Sequence, residues 1–140
     1  IMRLLVAHPA LASELDHEAV IAVEHFAPDC AQMWGQLIVA TQSMGERANF
    51  ASLAEKLRIM DSDFDGMIAE IAAEPETEID EARLELTGAI RQTKMSLVKA
   101  ELKNLFSSGF SPDDVRMRYD ALMQRQEQLR RQAEIEIARR

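Results

Sequence analysis

The residues with the most chemical potential are Asp61-Ser62-Asp63-Phe64-Asp65-Gly66. Oxygen donors at alternate positions, with glycine sixth, follow the first half of a calcium-binding loop. The twelfth position of such a loop supplies a bidentate glutamate, and here it is Ala72, inside an expected apolar face. The pattern therefore predicts a solvated helix start rather than a calcium site. His17, Glu24, His25 and Cys30 are the other conceivable ligands, but no pair among them has a spacing that suits zinc. Surface or half-buried places are expected for all four, and Cys30, with no motif around it, reads as a packed thiol. No glycine-rich phosphate loop, nucleophile elbow or histidine-centred triad is present. Acidic pairs such as Asp80-Glu81 lie on expected solvent faces. The chain is thus expected to be non-catalytic, with no metal and no cofactor.

The elements that carry these residues are helical by composition. Of the 140 residues, 47% are apolar and 29% charged, while Gly (5) and Pro (4) are scarce. Ala, Leu, Glu, Met, Gln and Arg dominate, which favours an all-α chain. The length suffices for a modest core. The single cysteine excludes an internal disulfide framework and fits a reducing compartment. No apolar run approaches the roughly 20 residues of a membrane span, and no signal peptide is visible. The start at Ile1 and the end at Arg139-Arg140 suggest a piece of a longer protein.

The organising stretch is Ser107-Ser108-Gly109-Phe110-Ser111-Pro112-Asp113-Asp114. Gly109 can take the left-handed conformation that ends a helix. Ser111 is a good N-cap, Pro112 suits the first helical position, and the two aspartates favour the positive end of the helix dipole. Long proline-free segments flank this stop and start. They predict an antiparallel helical hairpin with arms at about Thr77–Phe106 and Pro112–Arg139. Ile79, Ala82, Leu86, Ile90, Thr93, Leu97 and Leu105 form the seam of the first arm, faced by Val115, Tyr119, Leu122, Leu129 and Ile137.

Before the hairpin, about five short helices are expected. Ile1–Ala7 is helical, and Pro9 opens a turn through Ala10–Leu15. Asp16 caps a helix to Phe26, in which Ala19, Val20, Val23 and Phe26 are apolar. Pro28 begins a helix to about Ser43 on the period of Met33, Trp34, Leu37, Ile38 and Gln42. Gly45 ends it. Further helices cover Phe50–Met60, with Leu53, Leu57 and Met60 inward, and Phe64–Ala73, capped by Asp61 or Asp63, with Met67, Ile68 and Ile71 inward. Six of the methionines, Met44, Met60, Met67, Met95, Met117 and Met123, read as core filler. The expected architecture is a compact helical bundle over 1–75 followed, over 76–140, by a long helix and a C-terminal helix that form the hairpin. A hairpin this thin needs the bundle, a dimer mate or a partner protein.

Net charge is −8, which argues against sequence-independent nucleic-acid binding by the whole surface. The charge is uneven. Residues 1–82 hold 4 basic and 16 acidic residues, net −12, and residues 83–140 hold 12 and 8, net +4. A mildly basic hairpin on an acidic body can steer a partner.

Three stretches in register resemble a known family. Leu4-Leu5-Val6-Ala7-His8-Pro9-Ala10-Leu11-Ala12, Leu53-Ala54-Glu55-Lys56-Leu57, and Gly109-Phe110-Ser111 followed by two acids resemble the C-terminal domain of bacterial replicative DNA primase. Order and spacing agree over nearly all of the chain. The resemblance implies a non-catalytic domain whose hairpin docks on the N-terminal domains of the replicative helicase hexamer, bringing primase to the fork and stimulating the helicase. The parent chain would be a DNA-directed RNA polymerase, bacterial and cytoplasmic, with zinc and magnesium confined to its other domains. Helicase contacts are expected at Tyr119, Leu122, Arg125, Gln126, Leu129 and Arg130, with Val115, Tyr119 and Leu122 also holding the arms together. In some family members the bundle holds the acidic tail of the single-stranded-DNA-binding protein, and the matching positions here are Met2, Arg3 and Lys56. The last helix departs from the family: Tyr119 stands where a tryptophan is usual, and the helix runs longer. Composition alone would also allow a generic helical scaffold or coiled-coil adaptor.

Overall fold

Short polar side chains set several of the helix starts. Asp16 accepts from the Ala19 N–H at 2.8 Å and Asn49 from the Ser52 N–H at 2.9 Å, each satisfying a donor that the helix leaves unpaired. The computed structural model describes residues 1–107 and 109–139, excepting the side chains of Glu46 and Arg139. Among the described residues there are seven α-helices and no strand: α1 (Met2–Ala7), α2 (His17–Phe26), α3 (Ala31–Met44), α4 (Phe50–Met60), α5 (Phe64–Ala73), α6 (Ile79–Leu105) and α7 (Pro112–Arg139). Short 3-10 turns at Pro9–Glu14, Pro28–Cys30 and Gly45–Arg47 link the early ones. The expected all-α class is observed, and each expected early helix lies close to its foreseen position. At α5 the cap differs. Asp63 makes no side-chain cap bond, and Asp61 instead accepts from the Asp63 N–H at 2.9 Å, closing the turn before the helix.

The chain divides into two compact units, Ile1–Thr87 and Gly88–Arg140. The division falls within α6, downstream of the composition change at Pro75.

In the first unit α3 packs on α4 and on the Pro9–Glu14 turn, while α1 packs on α3, α4 and α5. The core is Leu5, Leu11, Trp34, Leu37, Leu53, Leu57, Phe64 and Ile68, each at most 1% exposed. Burial of each such side chain contributes about 1.5–3 kcal/mol. Trp34 also donates from Nε1 to the Val20 carbonyl at 3.2 Å, so the buried indole keeps its polar edge paired and ties α3 to α2. The first turns of α6 belong to this unit, and Ala82 and Leu86 there are fully buried. Met60, expected inside, is instead exposed, as is the apolar Phe26. Each is the last residue of its helix, where the backbone turns away from the core.

The second unit is an antiparallel pair of helices. Arg91 of α6 forms an ion pair with Glu136 near the end of α7, and Phe106 just beyond α6 meets Tyr119 near the start of α7. The seam runs at steps of seven: Arg91, Val98 and Leu105 on α6, and Val115, Leu122, Leu129 and Glu136 on α7. Val98, Leu105 and Leu129 are its buried members. Of the expected seam Leu105 and Leu129 are buried, while Ile90, Thr93 and Leu97 are half-buried and Val98, one position past Leu97, is buried in their place. Ile137 is 68% exposed, one residue past Glu136 and hence about 100° around the helix from the seam. Ile79, at the first position of α6, is exposed as well.

Candidate functional site

The hairpin turn forms as its residues dictate. Gly109 has φ +78°, the left-handed region, and Ser111 Oγ accepts from the Asp114 N–H at 3.3 Å. Pro112 opens α7, with Asp113 and Asp114 in its first turn. Ser108, part of the expected turn, lies outside the described residues.

This turn carries apolar surface that no core uses. Phe106 is 75% and Met117 71% exposed, and Phe110, Tyr119 and Met123 are also exposed. The rings of Phe106 and Tyr119 are 6.4 Å apart and tilted by 48°. The Arg118 guanidinium sits 4.0 Å from the centre of the Phe110 ring, a cation–π contact. Aromatic residues, methionine and arginine exposed together are the composition enriched at protein interfaces. The core-filler reading of the methionines fails here. Met60, Met117 and Met123 are exposed, while Met44, Met67 and Met95 are only half-buried. Phe106, Phe110, Met117 and Met123 were not singled out as site residues. For Phe106 and Phe110 the signal was available, since they flank Gly109 in a turn that cannot bury a large side chain, whereas Met117 and Met123 lie along α7 and carry no such signal.

The six expected helicase-contact residues all lie on α7 and differ in exposure. Tyr119 is exposed and touches Phe106 rather than disappearing into the seam. Leu122, Arg125 and Gln126 are half-buried, and Arg125 donates to Gln128 Oε1 at 3.2 Å. Leu129 is fully buried. Arg130 is exposed and bidentate to Glu127, with Nε at 3.0 Å and Nη2 at 2.8 Å, and Arg131 reaches the same carboxylate at 3.2 Å. The Arg130 guanidinium, then that of Arg131, holds the Glu127 carboxyl below its usual range.

In the first unit, Met2 and Arg3 open α1, and Lys56 lies on α4. Arg3 donates to Glu74 and lies 3.6 Å from Glu70, both on or next to α5. Lys56 is half-buried and donates to Ser43 Oγ on α3. The two cations donate to different acceptors, Glu74 and Ser43, although α1 and α4 are in contact.

The remaining candidates are dispersed. His17, Glu24 and His25 are exposed on α2, with His25 edge-on to Phe26, and Cys30 is a half-buried free thiol. Among the described residues no group of three or more His, Cys, Asp or Glu side chains is placed to hold a metal ion. No described helix is long and apolar enough to cross a membrane.

A family model described as DNA primase DnaG DnaB-binding matches residues 1–122. No curated protein and no solved structure matches the chain. The matched span takes in the bundle, the hairpin turn, Tyr119 and Leu122, and it stops before Arg125, Gln126, Leu129 and Arg130.

Proposed function

The chain belongs to the DNA primase DnaG DnaB-binding family, and from that premise we propose how it meets the helicase and what the meeting achieves. It is a helicase-binding domain of primase. The proposed contact is the hairpin: its exposed turn, with Phe106, Phe110 and Tyr119, together with the α7 face that carries Leu122, Arg125, Gln126 and Arg130. Leu129 serves from beneath, holding α7 against α6 so that the flanking polar side chains are presented. The observation that carries this is the cluster of exposed aromatic residues and methionine at and beside the turn of a domain whose family binds the helicase. Through this contact the domain recruits primase to the replication fork in the cytoplasm and modulates the helicase, while the rest of a parent polymerase chain makes the primer and holds the zinc and magnesium. The domain itself supplies no catalytic group or cofactor site.

A chain ending at Met123 tests the assignment, because it keeps the bundle and the turn but loses Arg125, Gln126, Leu129 and Arg130. It should fail to bind the cognate replicative helicase hexamer and should keep the thermal transition of the first unit. Full affinity would move the interface to the turn alone or to the bundle.

A second, independent contact is proposed for the acidic tail of the single-stranded-DNA-binding protein, at Met2, Arg3 and Lys56. Two cations on contacting helices, both reachable by solvent, favour it. Lys56→Glu should weaken the binding of a tail peptide at low salt and leave folding intact, since the half-buried lysine gives up only its hydrogen bond to Ser43, a small contribution. Unchanged affinity would remove the role.

A further inference from the structure

The first arm of the hairpin carries chemistry that the reading above does not use. Beside the seam of the second unit runs a shallow groove of about 360 Å³. Its apolar floor is Met95 of α6 with Leu129 and Ala133 of α7. Its charged lining is Arg91 and Lys99 of α6 with Arg130 of α7, and no carboxylate lines it. That absence is telling because α7 is not short of acids. Glu127, Glu134 and Glu136 all lie within two turns of the groove in sequence, yet none faces it. Glu136 is spent on Arg91, an ion pair whose side chains are only 18% and 22% exposed, so one cation of the groove is fixed in place. Glu127 is turned to Arg130 and Arg131. Lys99 has no ion pair or hydrogen bond among the described residues, and it lies two turns along α6 from Arg91.

We propose that this groove receives an acidic, partly apolar segment of the replicative helicase, with Lys99 as a docking residue on the first arm. The inference rests on the helicase-binding reading and deepens it by naming the chemistry of the partner's segment. An apolar floor rimmed by cations suits a segment that places one aliphatic or aromatic side chain against Met95 and Ala133, above the buried Leu129. Its carboxylate would then meet Lys99, the lining cation that Glu127 and Glu136 leave unpaired. A purely polyanionic ligand would leave the floor unused, which favours the protein segment over a nucleic-acid backbone. Two packed helices with one side of their seam open are also the geometry that a third helix completes.

The experiment compares the full chain with three variants for binding to the cognate helicase hexamer. Lys99→Glu reverses the charge of the groove, and Ser96→Glu places a carboxylate in its lining. Lys103→Glu makes the same charge change one turn further on, outside the groove. Lys99→Glu and Ser96→Glu should each weaken binding roughly tenfold at low salt, with the loss shrinking as salt is added. Lys103→Glu should stay near wild type. All three sites are exposed, and circular dichroism should show unchanged helicity. Equal effects at Lys99 and Lys103 would overturn the groove and leave only general charge steering. So would loss of binding to a single-stranded oligonucleotide with helicase affinity intact, or a wild-type self-association that Lys99→Glu abolishes. If the wild-type chain does not bind the helicase at any salt, the helicase-binding reading itself fails, an outcome distinct from these.

Discussion

Arg91 and Glu136 form an ion pair at one end of the hairpin seam, and seven residues inward from each lie the buried Val98 and Leu129. Seven further along α6 and back along α7 lie Leu105 and Leu122. Two antiparallel helices that share this rise can have one such register, and a shift by a single residue would separate Arg91 from Glu136 and turn Leu129 off the seam. An aliphatic seam tolerates slippage better than a charged one, because an unpaired, half-buried charge costs far more than a lost methyl contact. The pair therefore acts on register as much as on stability.

Glu136→Gln should destabilise the second unit by about 1–3 kcal/mol and raise hydrogen exchange in the last two turns of α7. The exchanged pair, Arg91→Glu with Glu136→Arg, should recover most of the loss. If the swap is no better than either single change, the pair does not set the register.

The buried middle of the seam carries the larger energy. Leu129→Ala removes a fully buried side chain and should cost about 2–5 kcal/mol of the second unit's stability, while Ile137→Ala should change it by no more than about 0.5 kcal/mol. The measurement is the thermal transition followed on a probe within α7. Equal effects at the two positions would contradict the placement of Ile137 outside the seam.

Local signals were the legible part of this chain. Asp16, Gly45, Gly109, Ser111 and Pro112 act within one turn of themselves, and the helices begin or end at or beside them, whereas the Asn49 cap of α4 went unread. The Trp34 core followed from a plain 3.6-residue period. The hairpin seam was harder because α6 is charged throughout and offers aliphatic residues on two adjacent stripes, Ile90-Leu97 and Val98-Leu105. Only the pairing with α7, which brings Arg91 to Glu136, chooses between them. The exposed methionines misled for a related reason. Methionine has the helix propensity of a core residue, and only the placement of α7 shows that Met117 and Met123 have nothing to pack on.

Charge on α7 should be visible in a titration. The Glu127 carboxyl is held low, first by Arg130 and then by Arg131. A carboxylate depressed in the folded state contributes stability that is present at neutral pH and is lost as pH falls through its depressed value. Both groups are exposed, so the contribution is small. The carboxyl carbon signal of Glu127 should titrate at a higher pH in Arg130→Ala than in the unaltered chain. A midpoint that does not move would mean that Arg130 spends its time in solvent.

The last prediction concerns where the chain can be cut. Composition changes at Pro75, but Ala82 and Leu86 are fully buried within the first unit, and Arg83 pairs there with Glu14 at 2.5 Å and Asp80 at 2.9 Å. Residues 79–87 thus contribute packing to the bundle, while the eight core side chains from Leu5 to Ile68 all lie upstream of Pro75. A chain of residues 1–75 should fold, since it keeps that core. A chain of residues 1–87 should fold with a higher Tm, by the burial of Ala82 and Leu86 and the anchoring of Arg83. Circular dichroism melts of the two decide the matter. A disordered 1–75 with a cooperative 1–87 would make the start of α6 an obligatory part of the bundle, and equal transitions would show that it adds nothing.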